Sequence, residues 1–103
     1  MRTRRKRGPA LRGRWLAAAR PNPRRGAPQF AFSVPEPGTA RISIYDLEGR
    51  RIARLYDGEA SAGVHELSWD GRDESGARVP PGIYLVRYAG PGGSESRRFA
   101  VMR

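Results

Sequence analysis

The stretch Val64–Gly76, VHELSWDGRDESG, decides the fold class. His65, Leu67 and Trp69 recur at every second position, which places them on one face of an extended strand. A run of Asp, Gly, Arg, Glu and Ser follows the indole at once. The strand therefore enters a polar turn with its bulkiest side chain on the face that needs burial. Asp70 caps that turn through its carboxylate, and Gly71 supplies an unusual backbone angle.

Downstream, Ala77–Pro80 reads as a short extended piece that stops at Pro80-Pro81-Gly82. Ile83–Ala89 (IYLVRYA) is apolar on both faces except at Arg87, as in a central strand. Tyr84 and Tyr88 alternate with Ile83 and Leu85, so one pair packs inward and the other faces out. Gly90-Pro91-Gly92-Gly93 turns the chain, and Glu95–Met102 forms a last strand with Phe99 and Val101 inward.

Upstream, Phe30, Phe32 and Val34 alternate within Gln29–Val34, and Pro35–Gly38 forces a turn. Thr39–Asp46 carries Ile42 and Ile44 on one face. Leu47–Arg50 is a tight hairpin connection with Gly49 free to take a positive φ. Arg51–Tyr56 returns. Its Ile52 and Leu55 are three apart, which predicts a bulge or a twist and not clean alternation. Asp57–Gly63 reads as a loop. Seven short strands with frequent turns, 13 Gly and nine Pro predict an all-β, antiparallel, immunoglobulin-like β-sandwich. The expected core is Phe30, Phe32, Val34, Ile42, Ile44, Ile52, Leu55, Leu67, Trp69, Val79, Tyr84, Val86, Phe99 and Val101.

Charge divides the chain. The first 25 residues hold ten Arg/Lys and no acid, whereas the remainder holds ten Arg and ten Asp/Glu. The formal +10 thus belongs to the leader, and the rest is a balanced domain. Residues 1–26 are expected to be a basic, flexible leader or linker, and residues 27–103 the sandwich. Self-repulsion favours disorder in residues 1–20, with room for a short helix at Trp15–Arg20. Pro21–Gly26 (PNPRRG) reads as an extended connector.

There is no Cys, so disulfide scaffolds and thiolate metal sites are excluded. The run Trp15–Ala19 is far shorter than the ~20 residues of a membrane span. It is also too short for a signal-peptide core, and Arg12 and Arg14 interrupt it.

The order Pro21-Asn22-Pro23, Phe32, Pro35, Ile44-Tyr45-Asp46-Leu47-Glu48-Gly49-Arg50, Gly63-Val64-His65, Trp69-Asp70-Gly71-Arg72-Asp73, Gly76 and Gly82-Ile83-Tyr84 resembles one family. It resembles the immunoglobulin-like domain of the flagellar hook-capping protein and the related C-terminal sorting-type domains of exported bacterial proteins. The likeness covers about residues 21–103. It implies a non-enzymatic β-sandwich that follows a larger partner domain, and a structural signature at Tyr45, Asp46, Gly49, Trp69, Asp70, Gly71, Gly76, Gly82 and Tyr84. Nothing large precedes the module in this sequence, so the leader reads as a linker, a fragment or a misread start.

The remaining residues carry little chemistry. Asp70, Asp73 and Glu74 supply too few oxygens for calcium, which takes six to eight. His65 lacks a nucleophile or metal-ligand partner and reads as a half-buried packing residue. Arg50-Arg51 and Arg97-Arg98 read as solvated or edge-strand charges. The leader's Arg2, Arg4, Arg5, Lys6, Arg7, Arg12 and Arg14 could hold nucleic acid or an anionic membrane surface without base specificity, and Trp15 could stack on a base.

The expected function is that of a non-enzymatic C-terminal accessory, sorting or interaction module of an exported or cell-surface bacterial protein, with protein partners and no cofactor. The alternatives are a structural part in flagellar hook assembly and nonspecific nucleic-acid binding through the leader. Strand addition at an exposed sheet edge is the expected contact mode.

Overall fold

The computed structural model describes Trp15, Leu16, the backbone of Arg20 and Pro21, and Pro28–Met102. Among these residues the chain is all β. The strands are β1 (Arg20–Pro21), β2 (Pro28–Val34), β3 (Gly38–Asp46), β4 (Arg51–Ala60), β5 (Gly63–Ser68), β6 (Gly82–Gly90) and β7 (Gly93–Val101). They form two antiparallel sheets, ordered β1-β2-β5 and β4-β3-β6-β7.

Alternation fills the space between the sheets. Phe30, Phe32 and Val34 of β2 are buried, as are Ala40, Ile42 and Ile44 of β3, Tyr84, Val86 and Tyr88 of β6, and Phe99 and Val101 of β7. Burying each large apolar side chain contributes about 1.5–3 kcal/mol. Trp69 is buried directly after β5, edge-on to Tyr84 (6.1 Å) and Phe99 (5.8 Å). Phe30 meets Phe99 edge-on at 5.1 Å. The Tyr84 hydroxyl donates to the Pro80 carbonyl at 2.6 Å, tying the start of β6 to the preceding turn. Tyr84 and Tyr88 are the inward pair of β6, and Ile83 is exposed.

The bulge expected in Arg51–Tyr56 is present twice. Ile42 pairs with Tyr56 but Ser43 with Arg54, and Ile44 pairs with Ala53 but Tyr45 with Arg51. Leu55 and Ile52 are the extra residues. Because each sits outside the ladder, the inward position between them goes to Ala53, and both are only partly buried instead of belonging to the closed core. Leu67 is also only partly buried, since β5 is an edge strand. Ala40, Ala53, Ala60 and Tyr88 are core residues beyond those expected.

Other expectations need correction. Ala77–Pro80 is not a strand. It holds one isolated bridge, Arg72 with Arg78, and Pro80 and Pro81 have no amide hydrogen to extend it. Residues 57–60 continue β4 rather than looping, because Gly38–Arg41 offers them a partner.

The leader residues described here are neither helical nor detached. Leu16 bridges to Phe32 and is fully buried. Arg20 and Pro21 pair with Gln29 and Pro28. The segment gives β2 a partner on the side opposite β5, where its ladder groups would otherwise turn to solvent.

Candidate functional site

Seven of the nine family-signature residues lie in or beside two turns that pack against each other, and Gly82 and Tyr84 lie at the start of β6. In the β3–β4 hairpin, Asp46 Oδ1 accepts the amides of Glu48 and Arg50, each at 2.9 Å, and Oδ2 accepts Arg50 Nε at 2.9 Å. Gly49 takes φ +87°, a left-handed angle that a residue with a Cβ adopts only under strain. The amide of Arg50 is the leading cause that holds the Asp46 carboxyl below its ordinary value of 3.8.

In the turn after Trp69, the indole N–H donates to the Arg72 carbonyl at 3.0 Å. Asp70 Oδ1 accepts the Arg72 amide at 3.0 Å, as its capping role requires. Asp73 Oδ1 accepts the Ser75 hydroxyl (2.7 Å) and the amides of Ser75 (2.9 Å) and Ala77 (3.0 Å). The Ser75 hydroxyl is the largest influence lowering the Asp73 carboxyl from 3.8. Gly71, at φ +80°, lets Val79 donate back to its carbonyl at 2.9 Å.

The turns join where Glu74 N–H donates to the Ile52 carbonyl (3.0 Å) and Arg51 Nε meets Glu74 Oε2 (2.8 Å). Arg50, Arg51, Ile52, Asp73, Glu74 and Ser75 line an open groove of about 400 Å³ there. The carboxylates that sequence marked as cation candidates are thus spread over separate bonds: Asp70 and Asp73 hold turn amides, and Glu74 pairs with Arg51. Among the described residues no group of three His, Cys, Asp or Glu is placed to hold a metal ion.

His65 stacks on Phe32 (5.1 Å between ring centres), and its Nε2 lies 2.8 Å from the Ser61 carbonyl, so it packs as expected. Tyr45 lies half-buried on the outward side of β3, opposite Leu85. The leader cations Arg2, Arg4, Arg5, Lys6, Arg7, Arg12 and Arg14 lie outside the described residues.

A second constellation was missed in reading the sequence. Trp15 and Leu16 lie across the seam between β2 and β7. The Trp15 carbonyl accepts the Ser33 amide at 2.8 Å. The amides of Trp15 and Leu16 both donate to Glu95 Oε1, at 2.7 and 2.9 Å. Arg97 Nε donates to the Leu16 carbonyl at 3.3 Å. The indole stacks on Tyr88 at 5.7 Å and 17°. The Tyr88 hydroxyl donates to the Pro91 carbonyl at 2.7 Å, and burial pushes its phenol above the ordinary 10.0. The sequence signal for this seam was Glu95 and Arg97, two charges at inward positions of β7.

The family model of the FlgD Ig-like domain matches residues 24–93. The basal-body rod modification proteins FlgD of Salmonella typhimurium (strain LT2) and Salmonella typhi are each 39% identical over 58 residues, 55% of this chain and 25% of theirs. The chain thus spans about a quarter of the length of these curated relatives. The crystal structure of FlgD from P. aeruginosa is similar with TM-score 0.57 at 25% identity, covering 71% of this chain and 59% of that chain. Family, relatives and solved structure all carry the FlgD name. They overturn the expectation of a sorting or accessory module on an exported or cell-surface protein, and favour the alternative reading as a flagellar part. The chain belongs to the FlgD Ig-like domain family.

Proposed function

We propose that this chain serves as a non-catalytic structural module in flagellar hook assembly, acting through protein contacts outside the cytoplasm. The observation that supports it is the family match over residues 24–93, joined to signature turns whose carboxylates accept backbone amides and so serve the fold. A rigid sandwich of this kind offers faces and edges. Strand β7 suits strand addition best. It is an outer strand, nine residues long, in unbroken register with β6, whereas the opposite outer strand β4 is bulged twice. Among the described residues no helix is long and apolar enough to cross a membrane.

Immunogold labelling of hook-basal bodies isolated from the native cell tests this reading. Label concentrated at the growing hook end is the expected result. Its absence there, with the protein abundant elsewhere in the same cells, would overturn the reading.

A further inference from the structure

Trp15 and Leu16 occupy a place that is shaped like a receptor. The floor under the indole is Gly92-Gly93. A Cβ on Gly92 would come within 2.8 Å of the indole nitrogen, and one on Gly93 within 3.0 Å of the ring, so side chains there would meet the indole. Tyr88 stacks on the ring, and the leucine side chain is wholly buried beside Phe32. Both amides and both carbonyls of the pair have partners in the groove. Ser33 N–H serves the Trp15 carbonyl, Arg97 serves the Leu16 carbonyl, and Glu95 takes both amides.

Glu95 and Arg97 find their partners in the occupant. Both are half-buried and share the inward side of β7 with Phe99 and Val101. A carboxylate with two amide donors and a guanidinium with a carbonyl acceptor are satisfied there. Without a guest strand both would lose these charge-assisted bonds.

We propose that the seam between β2 and β7 is a binding groove for a short extended peptide in which an aromatic residue precedes leucine, and that this chain's Trp15–Leu16 is its resident ligand. The groove is built almost wholly from the region matching the family, completed by Glu95 and Arg97, while the ligand lies nine or eight residues ahead of the start of that match at residue 24. Recognition couples backbone addition to β2 with two side-chain anchors, the pattern of strand-adding peptide sites. This inference stands apart from the hook-assembly reading, since it concerns what the groove holds and not where the module works.

The test uses the full chain with Trp15→Ala and Leu16→Ala, which vacates the groove. The probe is an end-labelled synthetic peptide of residues 12–21 (RGRWLAAARP), followed by fluorescence anisotropy in about 1 M salt, where the Debye length is about 3 Å. Saturable binding to the vacated variant is expected. The unaltered chain should bind far less, because its own segment is present at an effective concentration on the order of millimolar. Replacing the peptide's leucine by alanine should weaken binding about tenfold or more. No binding to a variant that keeps its β circular dichroism would overturn the proposal. So would equal binding by a peptide with alanine in place of both tryptophan and leucine.

A second measurement holds if the double variant does not fold. In Glu95→Ala, amide exchange at Ser33 should quicken about tenfold as the segment lets go, with the Ile44 amide unchanged. Unchanged protection at Ser33 would count equally against the groove.

Discussion

Leu16→Ala separates two views of the leader. If the folded unit began after residue 26, as charge alone suggests, the substitution would change stability by less than about 0.5 kcal/mol, as at other surface sites. Leu16 is instead fully buried, bridges to Phe32 and belongs to the core cluster. Removing a buried leucine side chain loses its transfer energy and leaves a cavity, together about 2–5 kcal/mol. The segment can also detach, and detachment limits the loss to the free energy with which residues 15 and 16 dock. The lower half of the range, about 2–3 kcal/mol, is therefore expected. A unit of about 90 residues is stabilised by about 5–13 kcal/mol, so the loss is large but the chain still folds. It corresponds to a fall of about 8–24 °C in Tm. The assay is urea unfolding followed by circular dichroism, with Leu47→Ala as control because Leu47 is 60% exposed. A Leu16→Ala midpoint indistinguishable from that of the control would refute the reasoning.

Three further outcomes follow from the same geometry. Tyr84→Phe removes the hydroxyl bonded to the Pro80 carbonyl and should cost about 0.5–1.5 kcal/mol in urea unfolding. Asp46 and Asp73 have folded carboxyls held below 3.8, so their stabilisation is present above that value and is lost as pH falls through the lower folded values. Asp46→Asn with Asp73→Asn should flatten the acid limb of a stability–pH curve, and an unchanged limb would show that those carboxylates do not matter. Tyr88 behaves oppositely: its phenol is raised above 10.0, so its contribution is present below pH 10.0 and is lost as pH rises through the folded value. Tyr88→Phe should remove that alkaline loss in pH-jump unfolding.

Much of the sandwich was legible because its strands alternate cleanly. Phe30, Phe32 and Val34, then Ile42 and Ile44, mark their inward faces by size alone. The irregular spacing of Ile52 and Leu55 announced the bulges, although it could not say that bulging would keep both residues out of the closed core. The alanines at 40, 53 and 60 carry too little apolar area to signal burial, yet they belong to the buried core. The turns after Asp46 and Trp69 could be read from their Asp and Gly content, since those residues bond their own backbone.

Trp15 and Leu16 escaped for a different reason. They stand in a run of arginine, glycine and alanine with no period, and Glu95, which holds the Trp15 amide, is 80 positions away. Local pattern carries no record of such a contact. Function was misjudged in a related way. The signature motifs specify turns, so they identify the domain but say little about which assembly it serves.

The most direct test of the assembly role is a chimera. In Salmonella typhimurium, residues 15–102 of this chain would replace the segment of FlgD that matches it, and hooks would be counted by electron microscopy. The account predicts hooks and swimming restored well above a strain lacking FlgD. A chimera that accumulates, folds and is exported, yet leaves the cells without hooks, would contradict it.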